Sequence, residues 1–322
     1  MSEEQSLLSQ RAELPLVSVI MNCLNSAKYL REAIDSVFAQ TYGNWEIVFW
    51  DNVSIDDSAA IAQSYNVERM RYFRGETTVP LGHARNLAIA KSRGEFIAFL
   101  DCDDVWLPEK LEMQVPLFLA DADVGLVYSD TYFFNEDGFQ RRLYADKKPY
   151  RGHCFPDLLN NYLISLETAV VRKSAIDSMD HWFDVSFNMV EECDLFVRIG
   201  LGWKIDFSPN VLAKWRVHGE SLSWTKRDSF VTETRRMLDK LQAIPKIKNE
   251  YQRDMTLAWY AQSLSEAKML WKNGDGAAAR RIILNLPNHG LKSCLLWIGS
   301  FLPFAASEFL YRLMRRSVTP AS

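Results

Sequence analysis

The stretch "GEFIAFLDCDDVWLPEK", residues 94–110, decides how this chain is read. Residues Glu95 to Leu100 have the apolar run of a strand passing through an interior, and Asp101, Asp103 and Asp104 follow together at its end. A proline-started helix then begins near Pro108. Clustered carboxylates repel one another and destabilise a fold unless something positive lies among them. A hard divalent cation, magnesium or manganese, meets that need, because it prefers oxygen ligands and can offer its remaining positions to phosphate oxygens. The competing reading is that Asp103 or Asp104 merely caps the following helix.

Upstream, strands and helices alternate. "PLVSVIMNCLN" (15–25), "WEIVFWDN" (45–52) and "MRYFRG" (70–75) read as short strands. Between them, "AKYLREAIDSVFAQT" (27–41) repeats Leu30, Ala33, Ile34, Val37 and Phe38 at helical spacing. "DDSAAIAQSY" (56–65) is a helix capped by Asp56 or Asp57, and "LGHARNLAIAKSRG" (81–94) one closed by Gly94. The alternation predicts a parallel, doubly wound α/β half. Ligands of such sheets bind at the carboxyl ends of the strands, which is where Asn22, Asp51 and Asp101 fall.

The middle of the chain is mixed. Strands are expected at 124–134 and 167–175, a strand leading into a polar loop at 211–223, and helices at 155–163 and 189–202, the last turning Leu195, Phe196 and Ile199 inward. From about residue 226 the pattern is helical, with an antiparallel pair over 257–286 joined at Asn273–Gly276. The expected organisation is therefore a lead-in (1–14), an α/β domain (15–225) and a helical accessory region (226–322).

Composition narrows the function classes. Hydrophobic residues make up 48% and charged residues 24%, too apolar for a disordered chain. A net charge of −4, without a basic stripe interleaved with aromatics, argues against nucleic acid as a partner. Five scattered cysteines without a CxxC pair suggest neither a zinc site nor a disulfide framework, and fit a reducing cytoplasm. The acidic opening "MSEEQSLLSQRAELP" lacks the apolar run of a signal peptide.

Four stretches taken in order carry a resemblance: "VSVIMNCLNSAKYLREAIDSVFAQTYGNWEIVFWDNVSIDDS", "GHARNLAIAKSRGEFIAFLDCDD", "EECDLFVRI" and "WRVHGESLS". Together they resemble the family 2 inverting glycosyltransferases of the GT-A fold over about residues 15–223. The resemblance implies a Rossmann-like mixed sheet flanked by helices. It also implies transfer of a sugar from a nucleoside diphosphate donor, usually UDP-linked, to an acceptor hydroxyl with inversion. By position, Asp51 would hydrogen-bond the uracil, Asn22 and Asn25 would lie beside it in the first loop, and Arg85 would stand near the nucleotide. Asp101 would face ribose and metal, Asp103 would be the most direct metal ligand, and His218 the third. Arg216 would meet the diphosphate or else a surface acid.

Glu192 in "EECDLFVR" would be the general base, one methylene longer than the family's aspartate. Two departures stand out. Leu24 replaces an aromatic residue that stacks on the base, and Asn52–Val53 replaces Asp–Gly, implying a differently built turn. The acceptor implied is a surface polysaccharide or lipid-linked glycan. The remaining readings are a non-catalytic nucleotide or sugar binding module and a nucleotidyltransferase, although "MNCLNSAK" lacks the glycine-rich, lysine-bearing loop the latter needs.

At the far end, "CLLWIGSFLPFAA" (294–306) is too short to span a bilayer, which takes about 20 residues. It reads either as an interfacial helix followed by Arg312, Arg315 and Arg316, at the inner face of the cell membrane, or as a helix packed on the helical region.

Overall fold

The computed structural model describes residues 14–65, 67–219, 227–287, 289–304 and 306. Contacts divide the chain into two compact units, Met1–Ser221 and Leu222–Ser322. The division expected near residue 225 falls at 220–226, outside the described residues.

In the first unit, β1 (Val17–Cys23), β2 (Trp45–Asp51), β3 (Met70–Arg74) and β4 (Phe96–Phe99) pair in parallel in the order β3-β2-β1-β4. β1, β2 and β4 are buried almost throughout, which is why they read as continuous apolar runs rather than alternating ones. The connecting helices are α1 (Ala27–Phe38), α2 (Ser58–Ser64) and α3 (Leu81–Ile89). α1 buries Leu30, Ala33, Ile34 and Val37 and turns Arg31, Glu32 and Asp35 to solvent, as its periodicity predicts.

The sheet continues with β5 (Val105–Trp106), β6 (Val124–Phe134), β7 (Gln140–Arg142), β8 (Val170–Arg172) and β9 (Lys204–Arg216). Its full order is β3-β2-β1-β4-β8-β6-β9-β5, with β7 paired to β6. β8 runs antiparallel to both β4 and β6, so the sheet is mixed. Four helices complete this unit: α4 (Lys110–Ala120), α5 (Phe155–Asn160), α6 (Lys173–Asp177) and α7 (Glu191–Gly202).

Three local expectations need correction. α3 ends at Ile89, and Gly94 is not its cap. A Cβ on Gly94 would lie 2.6 Å from the Ser18 backbone nitrogen and 2.7 Å from the Leu16 carbonyl oxygen, so glycine is required by close approach to β1. The strand expected at 167–175 is instead a 3-10 turn (Leu166–Thr168), then β8, then α6. The last strand begins at Lys204 rather than 211.

The second unit is helical: α8 (Arg227–Gln242), α9 (Pro245–Glu250), α10 (Gln252–Lys272), α11 (Gly276–Leu284) and α12 (Leu291–Gly299). The turn between α10 and α11 contains Gly274 at φ 92°, and Asp275 caps α11 by accepting from the Ala278 N–H at 2.8 Å. Ala267, Trp271, Ala279, Ile283 and Leu286 form its buried cluster. Among the described residues no helix is long and apolar enough to cross a membrane.

Candidate active site

The parallel register brings the carboxyl ends of β1, β2 and β4 together: Asn22 pairs with Trp50 and Cys23 with Asp51, while Ile20 pairs with Phe99 just before Asp101. The neighbourhood expected from sequence is therefore real. Several side chains within it face other ways than expected.

The three carboxylates of the opening stretch do not converge on one cation. Asp101 accepts from Arg85 Nη2, at 3.0 Å to Oδ1 and 3.4 Å to Oδ2. Asp103 Oδ2 lies 2.8 Å from His218 Nε2. Asp104 is buried and accepts from the Arg216 backbone N–H at 2.9 Å, which ties the loop to β9 instead of capping a helix. Burial, with Glu167 and Asp103 nearby, pushes the Asp104 carboxyl well above the usual range. Burial and the Asp101 charge raise Asp103 too, with His218 pulling the other way.

Among the described residues no three His, Cys, Asp or Glu side chains are grouped to hold a metal. Two of the three expected ligands, Asp103 and His218, do stand together. A carboxylate beside an imidazole suits manganese, and a metal with few protein ligands can complete its sphere with phosphates and water. Asp101 is the correction: its carboxylate is taken by Arg85.

Arg216 meets a surface acid, the second of its two expected partners. Its guanidinium donates to the Asp103 carbonyl at 2.8 Å and to Glu32 at 2.5 Å, and it lies over the Tyr29 and Phe134 rings. Only 5% exposed, it brackets the Asp103 loop and is not offered to a diphosphate.

Asp51 is a second correction. It is fully buried and accepts from Tyr72 Oη at 2.6 Å, Arg74 Nη1 at 2.5 Å and the Ser54 N–H at 2.7 Å, leaving no face for a uracil. Burial alone would raise its carboxyl, but the Tyr72 and Ser54 hydrogen bonds and the Arg74 charge hold it below the usual range. Asn25, at φ 53°, accepts from the Ile55 N–H at 2.8 Å and so stitches the first loop to the second. By contrast, both amide atoms of Asn22 are buried without a partner, as is Nε1 of Trp50 opposite it. Leu24 stays 45% exposed. Val53 holds φ 71°, in the left-handed region that favours glycine.

The residue pair Glu191–Glu192 opens α7, where a helix N-terminus favours acids. The two split. Glu191 is buried and its Oε1 accepts from Arg85 Nη1 at 2.8 Å, while its Oε2 has no partner. Glu192 is partly exposed and makes no side-chain hydrogen bond to the described residues. Burial, then the Glu191 charge, push its carboxyl up to about 8, with Arg85 opposing. A free carboxylate with a raised proton affinity is what a general base near neutral pH requires.

Arg85 is thus the hinge of the site, joining Asp101 at the sheet edge to Glu191 at the start of α7. The resemblance puts this residue near the nucleotide; here its ion pairs bridge α3, the end of β4 and the start of α7. Tyr162, which the sequence reading missed, has a buried hydroxyl without a partner, raised well above its usual range by burial and the Glu192 charge. An isolated tyrosine in a loop carries no pattern that would have revealed it.

The parallel-then-mixed sheet flanked by helices is the GT-A fold of glycosyltransferases. Residues 18–179 match the model of the Glycosyl transferase family 2, and the chain belongs to that family. The chain is 29% identical over 186 residues to the Escherichia coli UDP-Glc:alpha-D-GlcNAc-diphosphoundecaprenol beta-1,3-glucosyltransferase WfgD, covering 58% of this chain and 69% of that one. An uncharacterized glycosyltransferase of Rickettsia typhi is 26% identical over 97% of this chain and 95% of its own length. In fold it is similar to S. aureus TarS 1–349 in complex with UDP-GlcNAc (TM-score 0.59, 19% identity, covering 88% of this chain and 79% of that one). It is also similar to the mannosyltransferase PcManGT of Pyrobaculum calidifontis in complex with GDP-Man and Mn2+ (TM-score 0.61, 18% identity, 95% and 84% covered).

Proposed function

We propose that this glycosyltransferase moves a sugar from a UDP-sugar to an acceptor hydroxyl with inversion, using Glu192 as general base and a divalent metal, manganese or magnesium. The observation that carries the reading is the Arg85 bridge, which sets the start of α7, and with it Glu192, beside the strand ends that bear Asp101 and Asp103. In the reaction, the acceptor oxygen bonds to the anomeric carbon while the bond to the β-phosphate oxygen breaks. The acceptor proton passes to Glu192 and UDP departs. Asp103 and His218 would hold the metal, which when bound neutralises charge developing on the diphosphate. The unpartnered Asn22 amide supports a role beside the base, as it offers both a donor and an acceptor. Asn25, Asp51 and Arg216 support the site from behind.

A UDP donor accords with the UDP-Glc of WfgD and the UDP-GlcNAc of the TarS complex, and WfgD's lipid-linked acceptor accords with work at a membrane surface. We therefore read the acceptor as a lipid-linked or surface glycan and residues 294–316, of which 305 and 307–316 lie outside the described residues, as a peripheral membrane contact at the inner face of the cell membrane.

The test is calorimetric titration of UDP, with and without manganese, into wild type, Asp103→Asn and Glu192→Gln. Metal-dependent binding that is lost in Asp103→Asn and kept in Glu192→Gln, with transfer abolished in the latter, is expected. Turnover by Glu192→Gln would move the base elsewhere. Absence of UDP binding under every condition would turn the reading towards a non-catalytic module.

A further inference from the structure

α12 presents two unlike faces. One is seated: a Cβ on Gly299 would lie 2.7 Å from the Trp271 ring, and one on Gly276 would lie 2.4 Å from the Ser300 carbonyl oxygen. Leu296 and Trp297 pack there against the Trp271–Ile283 cluster. The opposite face carries Leu291, Leu295, Ile298 and Leu302 at spacings of four, three and four residues, exposed by 77%, 60%, 61% and 47%. That is a single aliphatic stripe along one helix and its exit. Phe301, 58% exposed, borders it and also lines a cleft of about 710 Å³ with Trp271, Lys272, Arg280 and Phe304. Lys272 has no ion-pair partner among the described residues, and Arg280 lies over the Phe301 ring at 4.2 Å.

Charge separates along the chain in the same sense. Residues 222–322 contain 16 Lys and Arg against 8 Asp and Glu, whereas the whole protein carries 37 against 41. From residue 267 onward the count is 8 basic against 2 acidic. An exposed aliphatic stripe inside a strongly basic segment of an acidic protein is the chemistry of an anionic lipid surface. Nucleic acid would use the positive charge and leave the leucines and isoleucine in water. A second copy of this chain would have to bring two like-charged faces together.

We propose that the α12 stripe and the Lys272–Arg280 cleft form a docking surface for a bilayer with anionic headgroups. The aliphatic side chains enter the headgroup–acyl boundary and the cleft receives a lipid phosphate. This rests on the membrane-surface part of the proposed function and names the residues and lipid chemistry responsible. It is read out without any glycosyl transfer, so its failure and that of the catalytic reading are separable.

The experiment is flotation of the full chain with phosphatidylcholine vesicles, with and without about one-third phosphatidylglycerol. Wild type is compared with Leu295→Ser/Ile298→Ser and with Lys272→Glu/Lys292→Glu, Lys292 being the exposed lysine next to Leu291 on α12. These side chains are exposed, so folding is expected to persist, and metal-dependent UDP binding checks it. Binding that requires phosphatidylglycerol and weakens by about tenfold or more in each double variant supports the surface. No binding at low salt, or variants that bind as wild type does, overturns it. Displacement by a single-stranded RNA homopolymer, with the serine variant unaffected, would assign the basic face to nucleic acid and also overturn it. So would a wild-type dimer that the serine variant abolishes, without vesicle binding in either.

Discussion

Glu192 and Glu191 are adjacent in sequence and opposite in circumstance, and the difference has a measurable consequence. As the proposed general base, Glu192 would act only when deprotonated, and burial with the Glu191 charge pushes its carboxyl up to about 8. Turnover should therefore rise about tenfold per pH unit below that point and level off above it. Glu191→Gln removes a like charge, so the profile should shift to lower pH; Arg85→Gln removes an opposing charge and should shift it upward. Opposite shifts are not produced by general damage, and two profiles moving the same way would sink the assignment. Glu191→Gln is the safer variant, since breaking a buried pair by removing one partner costs about 3–5 kcal/mol when the charge left behind has nowhere to go.

Val53 invites a second prediction. A β-branched residue at φ 71° is strained by about 1–3 kcal/mol, and glycine relieves this while losing some chain entropy on folding. Val53→Gly should stabilise the protein by about 1 kcal/mol, read as a higher midpoint of thermal unfolding. An unchanged or lower midpoint would mean that Val53 packing outweighs the strain. The residue scale is also where sequence reading failed most. Asp101 and Asp51 lie at the strand ends, but their side chains meet Arg85 and Arg74, and Arg216 meets Glu32, because strand position fixes where a side chain starts but not which neighbour satisfies it. Arg85, Arg74 and Glu32 come from other elements, 16, 23 and 184 residues away in sequence, and no local pattern announces them.

Elements were far more legible. The parallel half could be read because buried strands are continuous apolar runs and α1 has a clean amphipathic period. α7 was read to within a few residues for the same reason, Leu195, Phe196 and Ile199 all being buried. The errors cluster where a backbone requirement imitates another. Gly94 sits after a helical pattern, as a cap would, yet it is there because β1 leaves no room for a Cβ. Residues 167–175 contain "AVV", which is strand-like, but Ser165 Oγ donates to Glu167 and the Thr168 hydroxyl donates to the Ser165 carbonyl, bending the preceding residues into a 3-10 turn.

For the whole molecule, the decisive feature is one that the overall charge conceals. A net −4 is the sum of a helical unit with an excess of eight positive charges and an α/β unit that is correspondingly acidic. An acidic unit is repelled by an anionic membrane and a basic one attracted, so the field of the protein favours approach by the helical unit. Salt weakens this over the Debye length, about 10 Å at 0.1 M. The donor site should feel little of it, because its buried contacts are poorly screened. Raising salt from about 0.05 to about 0.3 M should therefore increase KM for a membrane-embedded acceptor several-fold while leaving kcat and the KM for UDP-sugar nearly constant. A soluble acceptor should show no such increase. If kcat fell in parallel, or the soluble acceptor responded equally, salt would be acting at the site itself, and the charge separation would have no part in bringing enzyme and acceptor together.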